Sequence, residues 1–239
     1  MELEMPSPTH PAVQRAKAAV IKRMLWTARP RMFIQRYLMR NMVLAVNRGL
    51  ETARFAMLWI AAYWFLLRVP SEALPMQRGE DESPGAADAQ SILYLHSENV
   101  LGLRLKTRKN KLQGSTLLRK CSCEACSRTC PVHVLWHGFF ANLEEDVKPW
   151  ADVSHSAVLE HLRRTLERLQ VPDHGLYGTH DFRRGHAKDL QQSGRPIAEL
   201  LAAGEWRSKA VKKYLDMPEL ERDVALEAAI LSDNEEFID

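Results

Sequence analysis

Residues 51–68 read ETARFAMLWIAAYWFLLR, and thirteen of them, Phe55 to Leu67, make the longest unbroken apolar run in the chain. A membrane span needs about 20 apolar residues, so the run is too short to cross a bilayer. A helix that is apolar all round belongs in an interior. The stretch therefore predicts a central core helix over residues 51–68, with Trp59, Trp64 and Phe65 as core aromatics rather than a base-stacking platform. A chain of 239 residues is long enough to wrap such a helix in one large domain or two small ones.

Upstream, residues 11–26 read as a basic helix broken by Pro30, and residues 32–47 as a second helix punctuated by Gly49. Downstream, Pro70, Pro75 and GEDESPGAADAQ (79–90) mark a turn and an exposed loop. SILYLHSENVLGLRLKTRKN (91–110) and KLQGSTLLRK (111–120) follow, the one region with short apolar alternation. It predicts strands near 92–96, 102–108 and 115–119, joined as hairpins. Helices are expected again over 132–143, 154–169, 182–193, 196–203, 208–215 and 218–231, and no internal repeat is visible. The fold class is mainly α with a small antiparallel β-sheet, a hairpin insertion.

A content of 46% hydrophobic and 26% charged residues excludes a wholly disordered, collagenous or coiled-coil chain. The N-terminus, MELEMPSPTHPAV, has no basic n-region and no apolar h-region, so no secretory signal is expected. The net charge of +3 hides an uneven distribution. Arg and Lys dominate residues 1–54 and again 101–130, where Glu124 is the one acid, whereas residues 216–239 carry nine acids against Arg222. Two basic segments and an acidic tail suggest a polyanion-binding body, and equally suit solvated helix faces with a solubilising tail.

Four separated pieces carry chemistry: LLRVPSEAL (66–74), LRLKTRKNK (103–111), GTHDFRRGHA (178–187) and AGEWRSKAVKKYLD (203–216). Each alone is weak, but their order makes a strong pattern. In it the chain resembles the tyrosine recombinase (phage integrase) family. LLRVPSE looks like that family's first arginine motif, HDFR its His-x-x-Arg box and GEW…Y its nucleophile segment. LLRVPSEAL, HDFRRGHA and CPVHVL are most similar to fungal Crypton transposon recombinases.

The resemblance runs from about Arg31 to Ser232 and implies the fold of the DNA breaking–rejoining enzymes. It divides the chain into an N-terminal helical extension (1–30), a catalytic domain (31–217), and a C-terminal amphipathic helix with an acidic tail (218–239). About thirty residues precede the catalytic resemblance, too few for the family's separate core-binding domain.

The residues suit the roles that the resemblance implies. Tyr214 would attack a phosphodiester and store its energy as a phosphotyrosine. Arg68 and Arg183 would clamp the charge of the pentacoordinate phosphate. His180 would take the phenol proton in cleavage and return it in rejoining. A hairpin lysine would protonate the leaving 5′ oxygen: Lys109 by similarity, with Lys106 and Lys111 as alternatives. Trp206 would donate its indole N–H near the phosphate. Arg104, Lys106, Arg108, Lys111, Arg184 and Arg207 are expected to contact DNA.

The reaction needs no metal or nucleotide cofactor. In the family an acid usually sits three residues after the arginine; here that position is Ser71, and Glu72, one further on, would buttress the site if Pro70 leaves the segment helical. The gap from Trp206 to Tyr214 is one residue shorter than the family's.

CSCEACSRTCPVH (121–133) holds all four cysteines. A disulfide framework would spread them, so they are expected reduced, with a structural zinc on Cys121, Cys123, Cys126 and Cys130 (or His133) as one reading and a partly buried thiol loop as the other. His137, His155, His161, His174 and His186 are expected to be structural or superficial, although His186 could line the DNA face.

Leu220, Val224, Ala228 and Leu231 share one stripe of the last helix. By resemblance that helix would dock on a neighbouring subunit to build a tetramer on double-stranded DNA. The sequence thus leads to a nuclear, DNA-cutting recombinase that does not touch membranes. Its rivals are a catalytically silent DNA-binding descendant and an interaction protein working through its acidic tail.

Overall fold

The computed structural model describes residues 9–23, 30–80, 89–108, 113–121, 123 and 128–205. The chain forms two units, Met1–Arg31 and Met32–Asp239. In the first, α1 spans Pro11–Arg23 and opens on a proline, whose missing N–H is no loss at a helix start. His10 caps it, with Nδ1 accepting from the Ala12 N–H at 3.2 Å.

The second unit begins with an extended run, not the helix expected from residue 32. The Ile34 N–H donates to the Asp181 carbonyl at 2.9 Å, a tertiary bond that a helix there would forfeit. Helix α2, Arg36–Leu44, then passes through a tight turn, Ala45–Arg48, closed by Gly49 at φ 69°. Thr52 caps α3, Ala53–Trp64, whose residues from Ala56 to Tyr63 are all buried. Trp59 and Phe65 are also fully buried, as the apolar run demanded.

Helix α3 stops earlier than the apolar run does. The Leu66 N–H bonds back to Tyr63 and the Leu67 N–H to Ala62, the paired closure that needs a left-handed residue after the helix. That residue is Leu66, at φ 49° and without exposure. Holding a non-glycine residue there costs about 1–2 kcal/mol. The strain falls two residues before Arg68.

A wide-turned helical segment, Val69–Ala73, follows, and leads into a four-stranded sheet of β1 (Met76–Arg78), β2 (Ser91–Ser97), β3 (Val100–Leu105) and β4 (Ser115–Lys120), ordered as numbered. The expected hairpins β2–β3 and β3–β4 are antiparallel, with Leu93 opposite Leu103 and Leu103 opposite Leu117. The sheet as a whole is mixed rather than antiparallel, because β1 adds in parallel to β2 with Gln77 opposite Ile92. At the turn before β4, Gly114 has φ 79°, and a Cβ there would sit 2.3 Å from the Leu105 carbonyl oxygen.

A second wide-turned helix covers Pro131–His137, and the tail of the helix expected there is instead a short turn, Phe140–Asn142. Three α-helices complete the described chain: α4 (His155–Arg168), α5 (Asp181–Gln192) and α6 (Ile197–Gly204). The helices expected over 208–215 and 218–231 lie outside the described residues.

Rings tie α3 to α5, where Trp59 and Phe182 stack with centroids 5.1 Å apart. A buried carboxylate ties α3 to α4. Glu51 accepts from Trp59 Nε1 and Thr165 Oγ1, both at 2.9 Å, and pairs with His161 Nε2 at 2.6 Å. Helix α5 lies so close to the extended run that a Cβ on Gly185 would come within 1.8 Å of the Ile34 carbonyl oxygen. No helix among the described residues is long and apolar enough to cross a membrane.

Candidate functional site

Arg68 caps the segment Val69–Ala73, and its own N–H is received by Glu72 Oε2 at 2.8 Å. Pro70 does not spoil this turn, because it sits at the start, where the proline ring is tolerated. The Glu72 N–H returns to the Arg68 carbonyl at 2.9 Å, so residues four apart face each other. Glu72, not Ser71, is therefore the acid behind Arg68, with Oε1 taking the Arg68 guanidinium at 3.2 Å. Ser71 points to solvent.

The same carboxylate holds Arg108. The expected place of Arg108 was the DNA-contacting surface of the hairpin, but it is only 5% exposed. Its Nε donates to Glu72 Oε1 at 3.2 Å, its Nη1 to Glu205 Oε2 at 2.7 Å and its Nη2 to the Leu66 carbonyl at 3.2 Å. Two guanidiniums and two carboxylates thus alternate through the interior, each charge compensated, which is what burial of ions requires. Nothing in the sequence marked Glu205. Its signal is visible only once the chain after α6 turns left-handed, at φ 49° and ψ 43°, and aims that side chain inward.

Helix α5 contributes the other half. His180 caps it with its ring only partly covered, while Arg183, one turn on, is 1% exposed and donates Nη2 to the Gly204 carbonyl at 2.6 Å. Partial burial of its ring, then the Arg184, Arg183 and Arg68 guanidiniums and His155, hold the His180 imidazole below its ordinary pKa. That coupling brings the two arginine motifs and the histidine into one electrostatic neighbourhood. Arg184 is steered by Asp181, its Nη1 lying 2.6 Å from Oδ1. His186 does not line this face. It is buried against the Tyr63 ring, 4.6 Å between centroids, with its pKa driven down to about 3 by burial and by Arg119 and Arg36.

Arg119, on β4, closes the arrangement from below. It donates to the Trp64 carbonyl at 2.6 Å and to the Ala203 carbonyl at 3.4 Å, and burial beside Arg108 lowers its pKa to about 10. Arg119 and Arg183 therefore take successive carbonyls at the C-terminus of α6, where cations are favoured. Among the expected DNA contacts, Arg104 is half-buried on β3 and Lys106 is exposed just beyond it. Lys109, Lys111, Trp206, Arg207 and Tyr214 lie outside the described residues.

The cysteine segment is a separate cluster. Cys121, Cys123, Cys130 and His133 each offer one donor atom, all within 4.8 Å of one another, a set able to hold a metal ion. Among the described residues the fourth donor is His133; Cys126 lies outside them. A cleft of about 920 Å³ opens elsewhere, between Arg36, Arg40, Arg128 and Asp189, and contains none of the residues singled out in the sequence.

No family model matches the chain, and no curated protein matches it.

Proposed function

We propose that this chain is the catalytic domain of a tyrosine-type DNA recombinase, of transposon origin, that cuts and rejoins double-stranded DNA through a 3′-phosphotyrosine on Tyr214. The observation that supports this most is the lowered pKa of the His180 imidazole, set first by burial and then by the Arg184, Arg183 and Arg68 guanidiniums. A cationic patch with a neutral base at its edge suits a reaction that gathers charge on phosphate while taking a proton from a phenol. A pKa below the ordinary histidine value favours the neutral ring that is able to accept a proton. Arg68 offers a half-buried guanidinium, and Glu72 fixes its direction.

Lys109, or Lys106 or Lys111, would protonate the leaving oxygen, and Trp206 would pack near the phosphate. No metal takes part in this chemistry, so a zinc on the cysteine cluster would be structural. In this reading the protein acts in the nucleus, and the segment 218–239 joins subunits into a tetramer on DNA.

One observation favours a second reading, a silent DNA-binding descendant of such an enzyme. Arg183 is 1% exposed, and one arm of its guanidinium is committed to Gly204.

Covalent trapping separates the two. Nicked suicide substrates, pooled from the source genome because the target site is unknown, are incubated with wild type and Tyr214→Phe and run on a denaturing gel. A protein–DNA adduct that vanishes in the variant supports the recombinase. Salt-sensitive DNA retention without an adduct supports the silent module, and loss of both removes DNA from the account.

A further inference from the structure

The donors of the cysteine cluster come from two elements that the sequence separates. Cys121 follows β4 directly, and its N–H is pinned by the Asn99 carbonyl at 2.7 Å. Cys123 lies two residues on. Cys130 caps the helix Pro131–His137, and His133 stands in that helix's first turn, where residues three apart share a side. A strand end and a helix start therefore place these donors.

Tetrahedral zinc with Zn–S of about 2.3 Å and Zn–N of about 2.0–2.1 Å places its sulfurs roughly 3.8 Å apart and sulfur from nitrogen roughly 3.5 Å. The Cys130 and Cys121 sulfurs are 3.7 Å apart, and Cys121 Sγ is 3.6 Å from His133 Nδ1. Cys123 Sγ approaches His133 Nδ1 at 3.1 Å and Cys121 Sγ at 2.9 Å.

Neutral thiols are weak donors and weak acceptors, so they have little reason to converge on one imidazole. As thiolates they would repel each other without a cation between them. A soft dication removes both objections, and three sulfurs with one imidazole nitrogen favour zinc over magnesium or calcium.

We infer that Cys121, Cys123, Cys130 and His133 bind one zinc ion. Four protein donors complete the tetrahedron and leave no open position, so the site is structural. It staples the end of β4 to the helix Pro131–His137. Since β4 carries Arg119, the staple also holds the strand whose guanidinium donates to the carbonyls of Trp64 and Ala203. Ligation displaces the three thiol protons, so affinity falls as pH is lowered.

The full chain, purified without added metal, is assayed by elemental analysis and native mass spectrometry, then with cobalt in place of zinc. One zinc per chain is expected, with the visible absorption of a tetrahedral cobalt–thiolate centre. Cys126→Ser keeps both signals; Cys121→Ser and His133→Ala lose them. Should those variants fail to fold, the wild type still decides: EDTA releases the zinc and lowers Tm, and added zinc restores it. A metal-free chain whose Tm ignores EDTA and zinc overturns the inference. So does loss of the metal in Cys126→Ser with retention in His133→Ala. None of these readouts depends on DNA cleavage.

Discussion

Glu72 receives the backbone N–H of Arg68 on one carboxylate oxygen, at 2.8 Å, and its guanidinium on the other, at 3.2 Å. A single side chain thus fixes both where the arginine's chain turns and where its charge points. Arg108 shares the same oxygen that takes the guanidinium.

Removing that carboxylate leaves Arg108 buried with half its compensation gone. Glu72→Ala is expected to destabilise the protein by about 3–5 kcal/mol, the range for breaking a buried ion pair on one side. Ser71→Ala, one residue away and exposed, should change stability by less than about 0.5 kcal/mol. Urea denaturation of both variants checks the contrast, and equal effects would return the supporting role to position 71.

Glu51 keeps its carboxyl below the ordinary pKa although burial opposes this, because hydrogen bonds from His161, Trp59 and Thr52 outweigh the desolvation. A depressed carboxylate stabilises the fold above its unfolded pKa of about 4.3 and loses that contribution as pH falls through the lower folded value. Glu51→Gln should therefore be less stable than wild type at pH 7, with the gap narrowing toward pH 3. Denaturation at the two pH values measures it.

His186 runs the other way. Its folded pKa of about 3 lies far below the ordinary 6.5, so the unfolded chain binds a proton that the folded chain refuses. Stability is lost as pH drops below about 6.5, by about 2 kcal/mol at pH 5, and the loss ends near pH 3. His186→Met should flatten this part of the pH–stability curve relative to wild type.

Covalent adduct formation, if Tyr214 is the nucleophile, should rise with pH through an inflection below the ordinary histidine pKa, and level off above it. His180→Ala should lower the rate by roughly 10²–10⁴-fold, the usual contribution of a positioned base, and remove that inflection. A plateau reached only well above pH 7 would assign the proton to another group.

Gly185→Ala pushes a methyl group into the Ile34 carbonyl, which is backbone and cannot swing aside. Overpacking of this kind costs about 1–3 kcal/mol. A fall in Tm with an unchanged far-ultraviolet spectrum would show α5 displaced from the extended run while the helices persist.

The core helix was legible because thirteen apolar residues leave a helix no solvent face. Its end was not, since Leu66 is as apolar as its neighbours and nothing in its identity announces a left-handed backbone. Strand β1 escaped notice for another reason. Three residues cannot show a period of two, and its partner Ser91–Leu93 lies across a loop.

Arg68, Glu72, His180 and Arg183 were singled out through motif order. Arg108 was misassigned because a basic hairpin looks solvated from the sequence, and only Glu72 and Glu205, from two distant segments, make its burial tolerable. His133 was legible only as an alternative to a cysteine, because ligand choice is decided by which elements meet rather than by spacing.

The left-handed turn at Glu205 fixes the point from which the remaining chain departs. Arg108, Arg119 and Arg183 anchor that point, and nine peptide links separate it from Tyr214 along the sequence. Nine links span no more than roughly 30 Å whatever path they take. Within such a radius a tethered group is present at an effective concentration that free diffusion does not match. If Tyr214 is the nucleophile, the anchored turn at Glu205 bounds which phosphates it is able to reach.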